Sequence, residues 1–546
     1  MKRRPQYLAL GAALAAFACS REPPPGATDT EPGQRAAPAA AGNPTLPPEL
    51  RAKPQASAAQ ATAPTVTDAG SAAQAAHHAG PWLVVTSAAA AVYSVKDFAK
   101  DKKLGYVTNG GRAAVLPNPE PTKNCTSGWY TVVGGGYICG NLGTTDLNHP
   151  QVKFAVRQPD LEDVLPYLYA RNAKNGTPLY KSVPSREQME TYEPYLNAKV
   201  EPASTNSEPP ALARVEPTRA LADAGIAFPS TADAGAAEPE KPWWQRDDAK
   251  DLKLEHLTED ADDILAKRMV TGFYVAVDKT FNWNGRTWYK TTKGLVAPAD
   301  RFWQTAGSKF KGVEIDGSNW KLPIAWTYGG RKTAPTYEID TGDKKVKPAG
   351  TVDVPVALQL TGREFELKGT RYSELKDNKW IKQIHIRLTR PGAPPAELGP
   401  DERWIDVNLK QQTLVAFQGN RPVYATLVSS GKQSEDKEKD HRTPTGQWTI
   451  REKHITTTMD GDGVAAGDLP YSIEDVPYVM YFDGSYAVHG AFWHRNFGVQ
   501  MSHGCVNLSP LDAKHLFFFA DPQVPTGWHG AWSSQARPGS RIVIHE

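Results

Sequence analysis

Two short stretches decide the reading: Tyr486-Ala487-Val488-His489-Gly490 and Ser502-His503-Gly504-Cys505-Val506-Asn507. The second sets a lone cysteine between a glycine and a small apolar residue, with two histidines nearby in the chain. A thiol with its ordinary pKa of about 8.5 is mostly protonated at neutral pH, so a catalytic cysteine needs a base and backbone N–H groups to hold an oxyanion. Gly504 carries no Cβ and lets the backbone come close to a substrate. His503 lies two residues from Cys505 and reaches the same face if the segment is extended. His489 ends an apolar run that reads as a strand, and such a strand can deliver its ring across a loop to the thiol. Spacing alone leaves both histidines open as the base. The N–H groups of His503, Gly504 and Cys505 are the candidate oxyanion donors.

Working outward, the chain from Glu402 alternates. Trp404 to Asn408, Thr413 to Phe417 and Val423 to Val428 read as half-buried strands, with turns at Gln411-Gln412 and Gly419-Asn420. The polar run from Lys432 to His441 reads as a solvated loop, and Thr443-Pro444-Thr445-Gly446 as a turn before Gln447 to Ile450.

These residues resemble the signature of the YkuD-type L,D-transpeptidases: a histidine, a spacer, then Ser/Thr-His-Gly-Cys-hydrophobic-Asn. The resemblance covers 402–546 and includes the Thr-Pro-Thr-Gly turn. It implies a β-sandwich-like catalytic domain with Cys505 as nucleophile in a groove, His489 as proton donor and acceptor, and the Gly490 carbonyl orienting that base. His503 and Gly504 then serve the site geometry and the oxyanion hole. Asn507, Ser502, Trp493 and Tyr471 are the implied substrate-side residues, Asn507 also bracing the cysteine loop. His494, His515, His529 and His545 have no second feature attached and read as packed or solvent-facing. Zinc on His489, His503 and Cys505 is the rival reading. No fourth ligand is suitably spaced, so no metal and no cofactor are expected.

Upstream, 81–200 and 243–395 carry short aromatic and β-branched runs between Gly and Asn clusters. Gly128-Trp129-Tyr130 with Gly136-Tyr137-Ile138 resembles bacterial SH3-like modules, and Thr287-Trp288-Tyr289 with Gly294-Leu295-Val296 echoes it loosely. Cys125 and Cys139 flank an expected hairpin, and in an oxidising compartment they read as a disulfide. Asp260 to Val270 shows one helical turn pattern before alternation takes over. The fold class is therefore mainly β: a C-terminal catalytic β-sandwich behind small β-barrel modules and disordered linkers.

Residues 1–19 read as an export signal. Lys2, Arg3 and Arg4 precede an apolar stretch too short to span a bilayer. Ala16-Phe17-Ala18-Cys19 resembles a lipobox in which Cys19 is lipidated; the alternative is ordinary cleavage near Ala18. Ser20 after that cysteine favours the outer membrane by resemblance, so the mature chain is expected in the periplasm, tethered through its N-terminus. Residues 20–80 and 201–242 are rich in Ala, Pro, Thr and Gly and cannot offset their ordering entropy, so they read as linkers. The formal net charge of +2 gives no strong electrostatic case for nucleic acid, and none is expected as a partner.

Two function classes follow. One is an enzyme that takes an acyl group from a peptidoglycan tetrapeptide stem and passes it to a second stem, an envelope protein or water. The other is a wall-binding lipoprotein with an inactive C-terminal domain. The segment from 402 onward is expected to fold alone.

Overall fold

The computed structural model describes residues 78–196, 242–245, 252–461 and 470–546. The export signal, Cys19 and most of both expected linkers lie outside the described residues. Strands dominate, and three small antiparallel units precede the C-terminal domain.

The first unit begins with Trp82–Val85, which pairs with Arg112–Ala114 and Gly143–Thr144. Ala89–Tyr93 pairs with Lys103–Thr108, and Cys125–Thr131 with Tyr137–Cys139. Cys125 and Cys139 are joined by a disulfide. Their hairpin brings Trp129 opposite Cys139, and the Trp129 ring packs on the bridge.

The second unit crosses the expected 201–242 linker. Leu168–Asn172 pairs with Tyr274–Trp283 and Phe302–Thr305, and Thr177–Tyr180 pairs with Leu265–Met269. Residues on both sides of that tract thus build one core around Leu179, Met269, Val275 and Phe302. Leu265–Met269 is a strand, so the helical turn pattern over 260–270 yields to sheet pairing. The third unit, Ile324 to Leu388, forms a seven-stranded antiparallel sheet with its own core at Leu360, Ile381 and Ile386. Each unit repeats one device, a short strand, a single 3-10 turn and a second strand. The turns are Gly140–Leu142, Ala299–Arg301 and Gln383–His385.

The C-terminal domain stacks two sheets. One contains Arg403–Asn408, Thr413–Gln418, Arg421–Leu427, Gly446–Thr449 and Arg541–His545. The other is built on the long hairpin Glu452–Gly461 and Tyr471–Asp483, followed by Tyr486–Gly490 and Val506–Leu508. Between them lie Ile405, Val407, Leu414, Val488, Val506 and Leu508, closed by the helix Pro510–Phe519. Ser509 caps that helix by accepting from the Asp512 N–H at 3.1 Å, with proline at the first helical position. The first sheet is not half-buried, as alternation suggests. Its outer face, with Trp404, Val415 and Phe417, packs on Ile324 and Trp326 of the third unit. A sheet covered on both sides loses its polar-out pattern.

The front units are fastened to this domain by strands as well as side chains. Tyr106 pairs with Gly530, Tyr274 with Ile473, and Val313 with Ala425. Trp528 enters the core of the first unit beside Leu83, Val92 and Ile138. The C-terminal segment therefore pairs and packs with the units before it.

Candidate active site

Tyr486–Gly490 and Val506–Leu508 run parallel, with Val488 opposite Val506, His489 opposite Asn507 and Gly490 opposite Leu508. Partners across a strand pair face the same side, and alternate residues share a face. His489 and Asn507 therefore point the same way, and Cys505, two positions before Asn507, starts on that side too. Among the two histidines the sequence left open, His489 is fixed to this strand pair, while His503 sits in the turn before it. Cys505 is 8% exposed, and its Sγ lies 3.7 Å from the Ser485 carbonyl.

His489 is 2% exposed, and its Nδ1 lies 3.3 Å from the Gly490 carbonyl. That contact fixes the tautomer with the proton on Nδ1 and a lone pair on Nε2. Burial pulls the ring down to about 4, with His494 adding a smaller push in the same direction. The imidazole is thus neutral at physiological pH and able to take a proton.

The turn before Cys505 is held by its own side chains. Ser502 donates its hydroxyl hydrogen to the Cys505 carbonyl at 2.5 Å and accepts from the Gly504 N–H at 3.2 Å. Ser502 is thus a buried brace of the loop, and the Gly504 N–H is directed at its hydroxyl inside the turn. Gly504 has φ +119°, and a Cβ there would stand 2.5 Å from the Tyr486 ring, so only glycine fits.

Of the remaining implied residues, Asn507 is buried, and its side-chain amide lies 3.1 Å from Nε2 of His494. Trp493 is half-buried with its ring 5.7 Å from that of His489. Tyr471 stacks on His503, ring centres 5.5 Å apart, and His441 flanks the same ring at 4.6 Å. His515 stacks on Tyr424, His529 is buried against Thr456, and His545 lies 3.1 Å from Asp406, so these three pack as expected. His494 is more than packing, because it holds Asn507. Among the described residues, no three His, Cys, Asp or Glu side chains converge to hold a metal.

Sequence reasoning missed Thr443. Its buried hydroxyl donates to the Gly504 carbonyl and accepts from the Gly431 N–H at 2.9 Å. The Thr-Pro-Thr-Gly run announced a turn, but nothing local tells that its first threonine reaches the cysteine loop. Also missed were Tyr167, Tyr169 and Tyr274 of the second unit, which share one apolar cluster with Cys505, Ala487 and Phe492.

The geometry is that of a buried thiol and a neutral imidazole on one face of a sheet, which suits acyl transfer through a thioester. Residues 402–544 match the family model of the YkuD L,D-transpeptidase catalytic domain. A Bacillus subtilis (strain 168) protein named as an L,D-transpeptidase, YciB, is 25% identical over 160 residues, which is 26% of this chain and 74% of that protein. Among solved structures, an Enterococcus faecium L,D-transpeptidase aligns at 22% identity over 26% of this chain and 49% of its own, with a TM-score of 0.20. An L,D-transpeptidase from Mycobacterium smegmatis aligns at 18% identity over 35% of this chain and 82% of its own, with a TM-score of 0.21. The chain spans about half the length of the enterococcal protein. Residues 402–544 of this chain carry a YkuD-type L,D-transpeptidase catalytic domain.

Proposed function

We propose that this chain is a peptidoglycan L,D-transpeptidase whose nucleophile is Cys505 and whose base is His489. The observation that carries the reading is the parallel strand pair that sets His489 beside Asn507, with Cys505 just ahead on the same side. The donor is a tetrapeptide stem. His489 Nε2 takes the thiol proton as Sγ attacks the carbonyl carbon of the third residue. The C–S bond forms, and the oxyanion is held by N–H groups of the 503–505 turn other than that of Gly504. The intermediate collapses by breaking the C–N bond to the terminal D-residue, which leaves as an amine with the proton from His489. An acceptor amine then attacks the thioester. A new C–N bond forms, the C–S bond breaks, and the amine's proton passes through His489 back to the thiolate. The acceptor is the side-chain amine of a second stem or a lysine of an envelope protein; water in its place gives hydrolysis.

Upstream, the recurring strand, turn and strand device supports reading the units as SH3-like modules that hold or space the enzyme on the wall. The disulfide fits an oxidising compartment, in keeping with export to the periplasm and an N-terminal lipid tether at Cys19.

The test is intact-mass spectrometry of the protein after incubation with a carbapenem, whose strained carbonyl imitates the donor. One adduct on Cys505, absent in Cys505→Ser, is expected. An adduct elsewhere, or transpeptidation by the serine variant, overturns the assignment. Muropeptide analysis of cells with the parent chain or Cys505→Ala then identifies the acceptor.

A further inference from the structure

Residues 491–501 connect the base at His489 to the nucleophile at Cys505 with no helix or strand of their own. Both ends of this loop are gripped by residues that lie outside the catalytic domain. At the C-terminal end, Arg387 of the strand Ile386–Leu388 donates from Nε to the Gly498 carbonyl at 2.8 Å. Its guanidinium lies over the Tyr328 ring at 4.0 Å. Gly498 has φ +91°, and a Cβ there would come within 2.8 Å of Tyr328, so loop and third unit are shaped to each other. At the N-terminal end, the Phe492 ring stacks on Tyr169 at 4.0 Å and meets Tyr274 edge-on at 5.4 Å. The Tyr169 hydroxyl is itself held, donating to the Asp475 carbonyl at 2.5 Å.

The front units touch the C-terminal domain at several places, and two of those contacts, from two different units, fall on this one irregular loop, whose ends carry the two groups that must meet. A charge-assisted hydrogen bond to a carbonyl and a stacked aromatic pair each fix direction as well as distance. Reacting atoms have to sit within about 3–3.5 Å, and a misplacement of about 1 Å costs on the order of a hundredfold in rate.

We propose that Arg387 and Tyr169 are positioning residues for acyl transfer. Through Gly498 and Phe492 they set the loop that fixes His489 relative to Cys505, so the front units complete the active site without touching the substrate. This rests on the assignment of Cys505 and His489 made above.

The experiment uses the full chain and its Arg387→Ala, Arg387→Lys, Tyr169→Ala and Tyr169→Phe variants. The rate of carbapenem acylation at Cys505 is read by intact mass, the pH profile of thiol alkylation by iodoacetamide, and folding by the thermal transition. Both alanine variants should acylate roughly ten- to a hundredfold more slowly and show a displaced alkylation profile. Lysine still donates to the Gly498 carbonyl and phenylalanine still stacks on Phe492, so both should recover most of the rate. Should an alanine variant fail to fold, Arg387→Gln and Tyr169→Leu decide in the same assays. Acylation within twofold of the parent in the variants that remove the clamps refutes the proposal alone. No adduct on Cys505 in the unaltered chain refutes the nucleophile assignment, and this proposal with it.

Discussion

Thr443 donates its hydroxyl hydrogen to the carbonyl of Gly504 across 2.7 Å, joining the turn after the 432–441 loop to the residue before Cys505. The same oxygen accepts from the Gly431 N–H, so both of its roles are filled. Thr443→Val keeps the shape and leaves a buried carbonyl and a buried N–H unpaired. A loss of about 1–3 kcal/mol in stability is expected, together with slower acylation of Cys505. Urea unfolding and intact-mass kinetics on the same variant check it. Unchanged acylation would separate this brace from catalysis.

Burial of His489 has a pH signature. Its ring is pulled down to about 4 in the fold, against about 6.5 in an unfolded chain. Between those values the unfolded state holds the extra proton, so stability falls as pH falls from 6.5 to 4 and is flat above 6.5. The slope is about 1.4 kcal/mol per pH unit for each such histidine, and His494, also pulled down to about 4 by burial, adds to it. Glu474, pushed up to about 7 mainly by burial, acts the other way, because the folded carboxyl takes its proton first. The difference between the parent and His489→Asn isolates the one group. The variant should lose less stability than the parent between pH 6.5 and 4, measured by urea titration at fixed pH. Superimposable curves would show that the ring is not held neutral.

Trp528 belongs by sequence to the catalytic domain and by packing to the first unit. Trp528→Ala should cost about 3–5 kcal/mol, the usual range for emptying a large aromatic site. Hydrogen exchange should place the loosening in 82–144 and not in the sheet around Trp404. Loosening confined to residues after 402 would contradict this packing.

Reduction of the Cys125–Cys139 bridge should destabilise the chain by about 2–4 kcal/mol, as expected for a short closed loop. The bridge lies in the hairpin of the first unit, in an apolar cluster that does not include Cys505. A lower thermal midpoint in reductant, with an unchanged rate of Cys505 acylation at low temperature, is the expected pair of results.

The strands at 403–408, 413–418 and 421–427 were legible because alternation and turn residues are local signals. The link between His489 and Cys505 came from the resemblance of the two motifs, since spacing alone left His503 equally open. What stayed hidden depends on partners far away in sequence. The second unit joins Leu168–Asn172 to a strand about a hundred positions later, and nothing in either strand names the other. Ser509-Pro510 with Asp512 was a readable start for the helix Pro510–Phe519 that the cysteine signature drew attention from. Arg387 and Tyr169 show no sign of their role until the fold places Gly498 and Phe492 against them.

The place of Trp528 also orders events in time. The unit that opens at Trp82 is made first, yet its core waits for a residue made roughly 450 positions later. At about 5–20 residues per second, that interval is roughly 20 to 90 s of synthesis. Until then the nascent unit has a gap at its centre and an unpaired edge where Gly530 and Ala531 will dock. The core that opens at Trp82 is therefore complete only once Trp528 has been made, and a chain cut short before it leaves that core without one of its members.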